Sequence, residues 1–270
     1  MHSPHPVYNT LRLSVADSIA VITLNRPEQA NGMNMELIME LATAARYIDG
    51  LVHKREVRAV VITGEGRIFC AGGDIHSFKA FGNQISAEIA RLAGYLHEAT
   101  ATFMHMQAPV ITAVNGAAAG AGFSLAIMGD LVLAAHSATL MLAYTAIGLS
   151  PDGAATWNLP RIVGVRRAQE MLLLNRKLTA DEALQWGLVT KVIADELLLS
   201  EAIALAKKLA VGPTKAFGMV KKLVDASDKN SPEQQMALEA EYLSALSSSI
   251  DGQEGIRSFL EKRKPVFEGK

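Results

Sequence analysis

Two stretches of the sequence carry the residues most able to do chemistry. The first is "GLSPDGAATW", in which Asp152 stands between a Gly-Leu turn and a run of small residues. A carboxylate there can cap the helix that "GAATW" begins, because its oxygen accepts one of the N–H groups a first helical turn leaves unpaired. It can equally serve as a general acid, general base or nucleophile. The second is "NGAAAGAGFSLAIMGD", Asn115 to Asp130, which carries no charged residue before its end. Glycine and alanine at a strand-to-helix crossing mean that something must come very close to the main chain. Ser124 within it nearly forms a nucleophile elbow, but "GFSLA" has Ala126 in place of the last glycine, and no histidine follows His136 to act as the base of a Ser-Asp-His order. Ser124 therefore reads as a small packed residue or as part of a pocket wall.

Other familiar motifs fail. "GAGFSL" has Leu125 where a dinucleotide fingerprint needs its third glycine, and no acidic residue lies near position 140 to hold a ribose. No glycine loop is followed by the Lys and Ser/Thr of a phosphate-cradling loop. The seven histidines are scattered, and "HEATA" at His97 lacks zinc-ligand spacing, so no metal is expected.

These residues must be positioned by a sizeable core, which the composition allows. Half of the 270 residues are hydrophobic, and a net charge of -1 gives no basic field for nucleic acid or an anionic membrane. The single cysteine, Cys70, fits a reducing compartment, and "MHSPHPVYNT" does not read as a secretory signal, so a cytoplasmic protein is expected. Ala108 to Ala135 holds one charge, yet its glycines, alanines and central Asn115 argue for a buried strand, loop and helix rather than a membrane span.

Strand-like and helix-like segments alternate through the first half, which predicts an α/β class. Strands are expected at Ser18 to Asn25, Val57 to Gly64, "PVITAVNG", "DLVLAAH" and "TLMLAYT". Helices are expected over Met35 to Leu51, capped by Asn34, over Ile85 to Met106, and from Phe123 to Met128. From about Ala154 the pattern is mainly helical, with segments at Val165 to Leu174, Thr179 to Trp186, Asp195 to Ala210, Pro213 to Ala226, Pro232 to Ser247 and Gly252 to Lys262. Pro213 and Pro232 suit first helical positions.

"GRIFCAGGDI" (Gly66 to Ile75), paired with "VNGAAAGAGFSLAIMGD", resembles the two signature loops of the crotonase superfamily, the enoyl-CoA hydratase/isomerase family. The resemblance runs on through "LNRPEQANGMN", "GLSPDGAATWNLPRIVG", "LTADEALQWGLVTKVI" and "FLEKRKPVFEGK". It implies a spiral of ββα units over residues 1–195, holding an acyl-CoA site, and a helical assembly region over 196–270. Family members form trimers, or hexamers of two trimers. The resemblance also implies an oxyanion hole made by the N–H groups of Gly73 and Ala121, where small residues would let a thioester carbonyl approach. Phe69, Cys70 and Ala71 would receive the adenine through the main chain, and Arg26 the phosphates. Phe267 and the nearby lysines either reach coenzyme A, often in a neighbouring subunit, or serve only packing and solvation. Coenzyme A enters as part of the substrate, and no separate cofactor is implied.

The chain departs from hydratases at two positions. Where that activity uses two glutamates, Ser124 and Tyr144 stand, and neither a hydroxyl nor a phenol is a ready base near neutral pH. Asp152 is the carboxylate left, with Phe123, Ser124, Tyr144 and Trp157 as expected walls of the acyl pocket, although Phe123 also reads as plain core. The nearest pattern is that of the phenylacetate-degradation isomerases, which handle a ring-epoxide thioester and shift double bonds. Double-bond migration is expected first. A weak or multifunctional hydratase, an aryl-CoA dehalogenase with Asp152 as nucleophile and a base such as His97, and a non-catalytic acyl-CoA binder are the rivals.

Overall fold

Short apolar segments supply the frame of the molecule. In the computed structural model, which describes residues 5–270, β1 (Leu11–Ala16) and β2 (Ile19–Leu24) pair as an antiparallel hairpin. Helix α1 (Met35–His53) follows, its first turn capped by Asn34, whose side chain accepts from Leu37 N–H. Then come β3 (Ala59–Gly64), β4 (Ile68–Cys70), α2 (Ile75–Phe78) and α3 (Ile85–His105). The next units are β5 (Val110–Val114), β6 (Ala117–Ala119) and α4 (Ala121–Ile127), then β7 (Leu131–Ala135), β8 (Thr139–Met141) and α5 (Ala155–Val163). The chain continues through α6 (Val165–Leu174), β9 (Leu178–Thr179), α7 (Ala180–Gln185), β10 (Lys191–Ile193) and α8 (Leu198–Ala210). It closes with α9 (Thr214–Ala226), α10 (Pro232–Ser247) and α11 (Ile250–Leu260).

The repeat is ββα. In the pairs β3–β4, β5–β6 and β7–β8 the first strand joins a six-stranded sheet of order β1-β2-β3-β5-β7-β10 and the second a four-stranded sheet of order β4-β6-β8-β9; the opening hairpin β1–β2 lies wholly in the larger sheet, and at the end β9 joins the smaller sheet before α7 and β10 the larger one after it. From β2 onward the larger sheet is parallel, and β3 and β5 are buried along their whole length. That is why they read as continuous apolar runs rather than alternating ones. Of the smaller sheet only β8 was expected, within "TLMLAYT"; β4 and β6 lie in segments read as loops. The apolar stretch from Ala108 to Ala135 folds as β5, β6, α4 and β7, and among the described residues no helix is long and apolar enough to cross a membrane.

The C-terminal helices begin later than residue 196. Helix α8 lies against β2, β3, β5 and β7, burying Ala202, Ala206 and Ala210, so the sheet-covering layer extends to Ala210. Pro213 precedes α9 instead of opening it, whereas Pro232 does occupy the first turn of α10. Beyond α8 the helices bury little of their own: α10 has no buried residue, and Val224, Leu243, Phe259 and Leu260 are widely exposed. The last residues fold back on α11, where the Asp251 carboxylate accepts from Glu268 N–H and Gly269 N–H at 2.7 and 2.8 Å.

Candidate active site

Two asparagines fix the loop after β3. Asn115 Oδ1 accepts from Gly64 N–H at 3.0 Å while its Nδ2 donates to Gly66 O at 2.9 Å. Asn31, fully buried, donates to Glu65 O and Ile68 O at 2.9 and 2.7 Å. Arg26 completes the clasp through an ion pair with Asp74 at 3.0 Å and a bond to Gly32 O. Its guanidinium is thus engaged inside the protein, and a phosphate would have to share it. Asp74 itself caps α2.

This clasp determines which main-chain groups stay unpaired. Met33 N–H donates to Gly72 O at 2.7 Å, and Asp74 N–H donates to Met33 O at 3.0 Å. The residue between them, Gly73, has an N–H with no backbone acceptor among the described residues. Ala121 opens α4, where first-turn N–H groups are left over, and it too lacks a backbone acceptor there. The two loops touch. Gly72, at φ +91°, lies so close that a Cβ on it would sit 3.2 Å from Ala121 N.

One glycine of this crossing, Gly122, is required by packing within the protein. A Cβ on Gly122 would fall far inside van der Waals contact of Cys70 O. What comes close to the main chain at Gly122 is the neighbouring strand β4, and that contact packs the start of α4 against the loop that carries Gly73. Cys70 is part of the joint: it is buried, its Sγ lies 3.1 Å from Asn31 O, and burial pushes its thiol up to about 12. Of the three residues expected at the adenine, Phe69 and Cys70 have fully buried side chains, while Ala71 is exposed with its N–H given to Ala30 O at 3.0 Å.

Asp152 is not the helix cap. The residue before α5 is Ala154, in a left-handed conformation at φ +63°, with no side-chain cap. The half-buried Asp152 carboxylate instead accepts the Tyr144 phenol at 2.5 Å through Oδ1. Burial, then the adjacent Asp152 charge, raise the Tyr144 pKa above its ordinary value, so the phenol stays a donor. Ser124, fully buried on α4, donates to the Asp152 main-chain oxygen at 2.9 Å. Ser124, Tyr144 and Asp152 are therefore joined by hydrogen bonds.

Trp157 lies one turn further along α5, under the Arg161 guanidinium at 3.9 Å. It lines a cavity of about 390 Å³ together with Gly153 and, from α3, His97, Thr100 and Met104. Phe123 is fully buried in the core and is not part of that lining. Phe267 packs by Gly255, and its carbonyl accepts from Arg58 at 3.0 Å, at the start of β3. Gly64, with Asn115 bonded to it, lies at the other end of that strand, so Phe267 is not brought together with the two loops. Nothing in the sequence singled out Asn31 or Thr100; Asn115 stood out only as a polar residue in an apolar run.

Paired ββα sheets whose loops meet over unpaired amides define the crotonase class of fold. Residues 14–270 match the enoyl-CoA hydratase/isomerase family, and the chain belongs to it. It is 42% identical to a probable enoyl-CoA hydratase of Rhodobacter capsulatus, over 97% of this chain and 99% of that one. It is 36% identical to the 1,2-epoxyphenylacetyl-CoA isomerase of Escherichia coli, over 95% of this chain and 97% of that one. The crystal structure of a putative enoyl-CoA hydratase from Streptomyces coelicolor superposes with a TM-score of 0.92 at 32% identity, covering all of this chain and 98% of that one.

Proposed function

We propose that the protein is an acyl-CoA isomerase that moves a double bond, or rearranges a ring epoxide, in a coenzyme A thioester, with Asp152 as the one acid/base. The reading rests on one contact, the Tyr144 phenol on Asp152 Oδ1 at 2.5 Å. It orients the carboxylate and leaves Oδ2 to carry a proton. Hydration calls for a second group to activate water, and the two candidate positions are spoken for: Ser124 Oγ donates to a main-chain carbonyl, and Tyr144 remains protonated.

With a 3-enoyl thioester, Asp152 takes a proton from C2 and the electrons pass into the thioester carbonyl as a dienolate. Gly73 and Ala121 N–H groups hold that oxygen, worth about 3–4 kcal/mol per donor where one has been removed elsewhere. Asp152 then returns the proton at C4, giving the conjugated 2-enoyl thioester. Coenzyme A belongs to the substrate, and the proposal calls for no metal or redox cofactor. A cytoplasmic homotrimer or homohexamer fits the exposed apolar residues of α9 to α11.

The test is Asp152→Asn, expected to lower kcat by about 10²–10⁴-fold and to stop deuterium uptake from heavy water at C2 and C4. Near-wild-type turnover would refute the assignment. One observation favours a dehalogenase-like second reading: His97 lines the cavity beside Gly153, where it could activate water against an Asp152 ester. Halide release from a halobenzoyl-CoA ester would decide for it.

A further inference from the structure

We infer that Arg26 and Asp74 are positioning residues for the Gly73 amide: their ion pair fixes the direction of that N–H, and Arg26 does not serve as a phosphate ligand. The inference rests on the acyl-CoA reading above for the part that Gly73 plays, and on separate geometry for the pair.

The geometry is that of two segments running side by side. Residues 30–33 and 71–74 are laced together, since Ala71 N–H donates to Ala30 O at 3.0 Å, Met33 N–H to Gly72 O at 2.7 Å and Asp74 N–H to Met33 O at 3.0 Å. The last two bonds make a parallel bridge between Met33 and Gly73. In such a bridge Met33 bonds to the two neighbours of Gly73, and the N–H and C=O of Gly73 itself face the opposite way. The bridge therefore turns the Gly73 N–H away from Met33 and leaves it without a backbone acceptor among the described residues.

This bridge is isolated, with no longer strand behind it to hold its register. Arg26 supplies the fastening. One guanidinium nitrogen donates to the carbonyl of Gly32, the residue before Met33, and another donates to Asp74 Oδ2 at 3.0 Å, on the residue after Gly73. The guanidinium thus links the two segments across the bridge. Arg26 is held in turn by Asn31, whose Oδ1 accepts from Arg26 N–H at 2.9 Å and whose N–H donates to Arg26 O at 2.9 Å. The two side chains of the pair are only 14% and 13% exposed, so water does not readily replace either partner. A carboxylate already seated on the guanidinium also opposes a phosphate there, because two anions on one partly buried cation repel at short range.

The experiment separates aiming from binding and from folding. A saturated acyl-CoA ester, isotopically labelled at the thioester carbonyl, binds without reacting, and difference infrared spectroscopy reads its carbonyl stretch, which falls when N–H groups bond the oxygen. The wild-type protein is expected to lower the stretch from its solution value. Asp74→Asn keeps the size and the helix cap but removes the ion pair, and Arg26→Gln removes it from the other side. Each is expected to return the stretch part-way to the solution value and to lower kcat for a 3-enoyl ester by about ten- to hundredfold, short of a fully deleted donor. Affinity for free coenzyme A is expected to stay within about twofold, and the double variant to lose no more than the worse single one, since both remove one pair. A stretch unchanged in both variants, whatever their melting temperatures, would make the pair merely structural and overturn the inference. So would a fall of more than about tenfold in the affinity of Arg26→Gln for free coenzyme A, the mark of a lost phosphate ligand. A stretch that responds to the variants in a protein that isomerises no ester would refute the isomerase reading and uphold the inference. Isomerase turnover with an unresponsive stretch would do the reverse, so the two failures are distinct.

Discussion

Replacing Tyr144 by phenylalanine separates a group that orients the acid/base from one that is the acid/base. The phenol donates to Asp152 Oδ1 at 2.5 Å, and among the described residues no other side chain donates to that carboxylate. A hydrogen bond to a charged group contributes about 1.5–3 kcal/mol. Asp152 is half-buried, so water can take part of the lost place and the lower end applies. A loss of about 1.4 kcal/mol in the transition state is tenfold in rate. The Tyr144→Phe enzyme is therefore expected to lose about tenfold in kcat with little change in KM, against the 10²–10⁴-fold expected of Asp152→Asn. The assay follows the absorbance of the conjugated thioester as a 3-enoyl-CoA ester is converted. A Tyr144→Phe loss as deep as that of Asp152→Asn would make the phenol a proton carrier and refute the one-carboxylate mechanism. An unchanged kcat would show that the hydrogen bond does not orient the acid.

Three further outcomes follow from contacts away from the carboxylate. Gly122→Ala drives a Cβ into Cys70 O, a main-chain atom that cannot step aside, and is expected to cost more than about 3 kcal/mol, read as loss of soluble protein or a collapse in melting temperature. Ser124→Glu, which returns an acid to α4, is expected to displace Gly153 and Asp152, abolishing isomerisation without giving hydration; product analysis with 2-enoyl and 3-enoyl esters checks it. Glu254 is held at about 2, below the ordinary 4.5, first by the Arg263 guanidinium and then by Val266 N–H. Its folded pKa is depressed, so its contribution is complete above about 4.5 and is lost as pH falls towards 2. Glu254→Gln should flatten the fall of melting temperature across that window.

Strands β2, β3, β5 and β7 of the larger sheet were legible because burial on both faces writes itself as unbroken β-branched runs, as in β3 and β5, whereas the three-residue β10 was not. Helix starts were legible where a side chain caps them, as Asn34 does for α1. Of the smaller sheet only β8 was legible. Its strands β4 and β6 have three residues each, too few for any periodicity, and they are strands only because they pair with each other. Strand β1 was missed as well, because the Asp17-Ser18 turn that joins it to β2 adopts φ of +51° and +59° without the glycine that marks such hairpins. In the candidate site, motif positions pointed to Gly73, Ala121 and Asp152, yet local sequence could not separate a capping Asp152 from a free one. That choice is made by Tyr144, eight residues earlier, whose phenol reaches the carboxylate.

The absence of an acid at position 124 and the presence of one at 152 belong to a single packing arrangement. A Cβ on Gly153 would lie 2.8 Å from Ser124 Cβ and 3.3 Å from Leu96 Cδ2, so the chain after Asp152 runs directly over α4. Only a small residue fits at 124 beneath it, and the serine hydroxyl also ties down the Asp152 carbonyl at 2.9 Å. A glutamate there would need the volume that Gly153 occupies. The main-chain amides of Gly73 and Ala121 are indifferent to this exchange, because Asn31, Asn115 and the contact of Gly122 with Cys70 hold their loops from the other side. A scaffold of that kind can hold the two loops unchanged while the acid moves from one loop to the next, and on the proposed function the reaction then follows the acid.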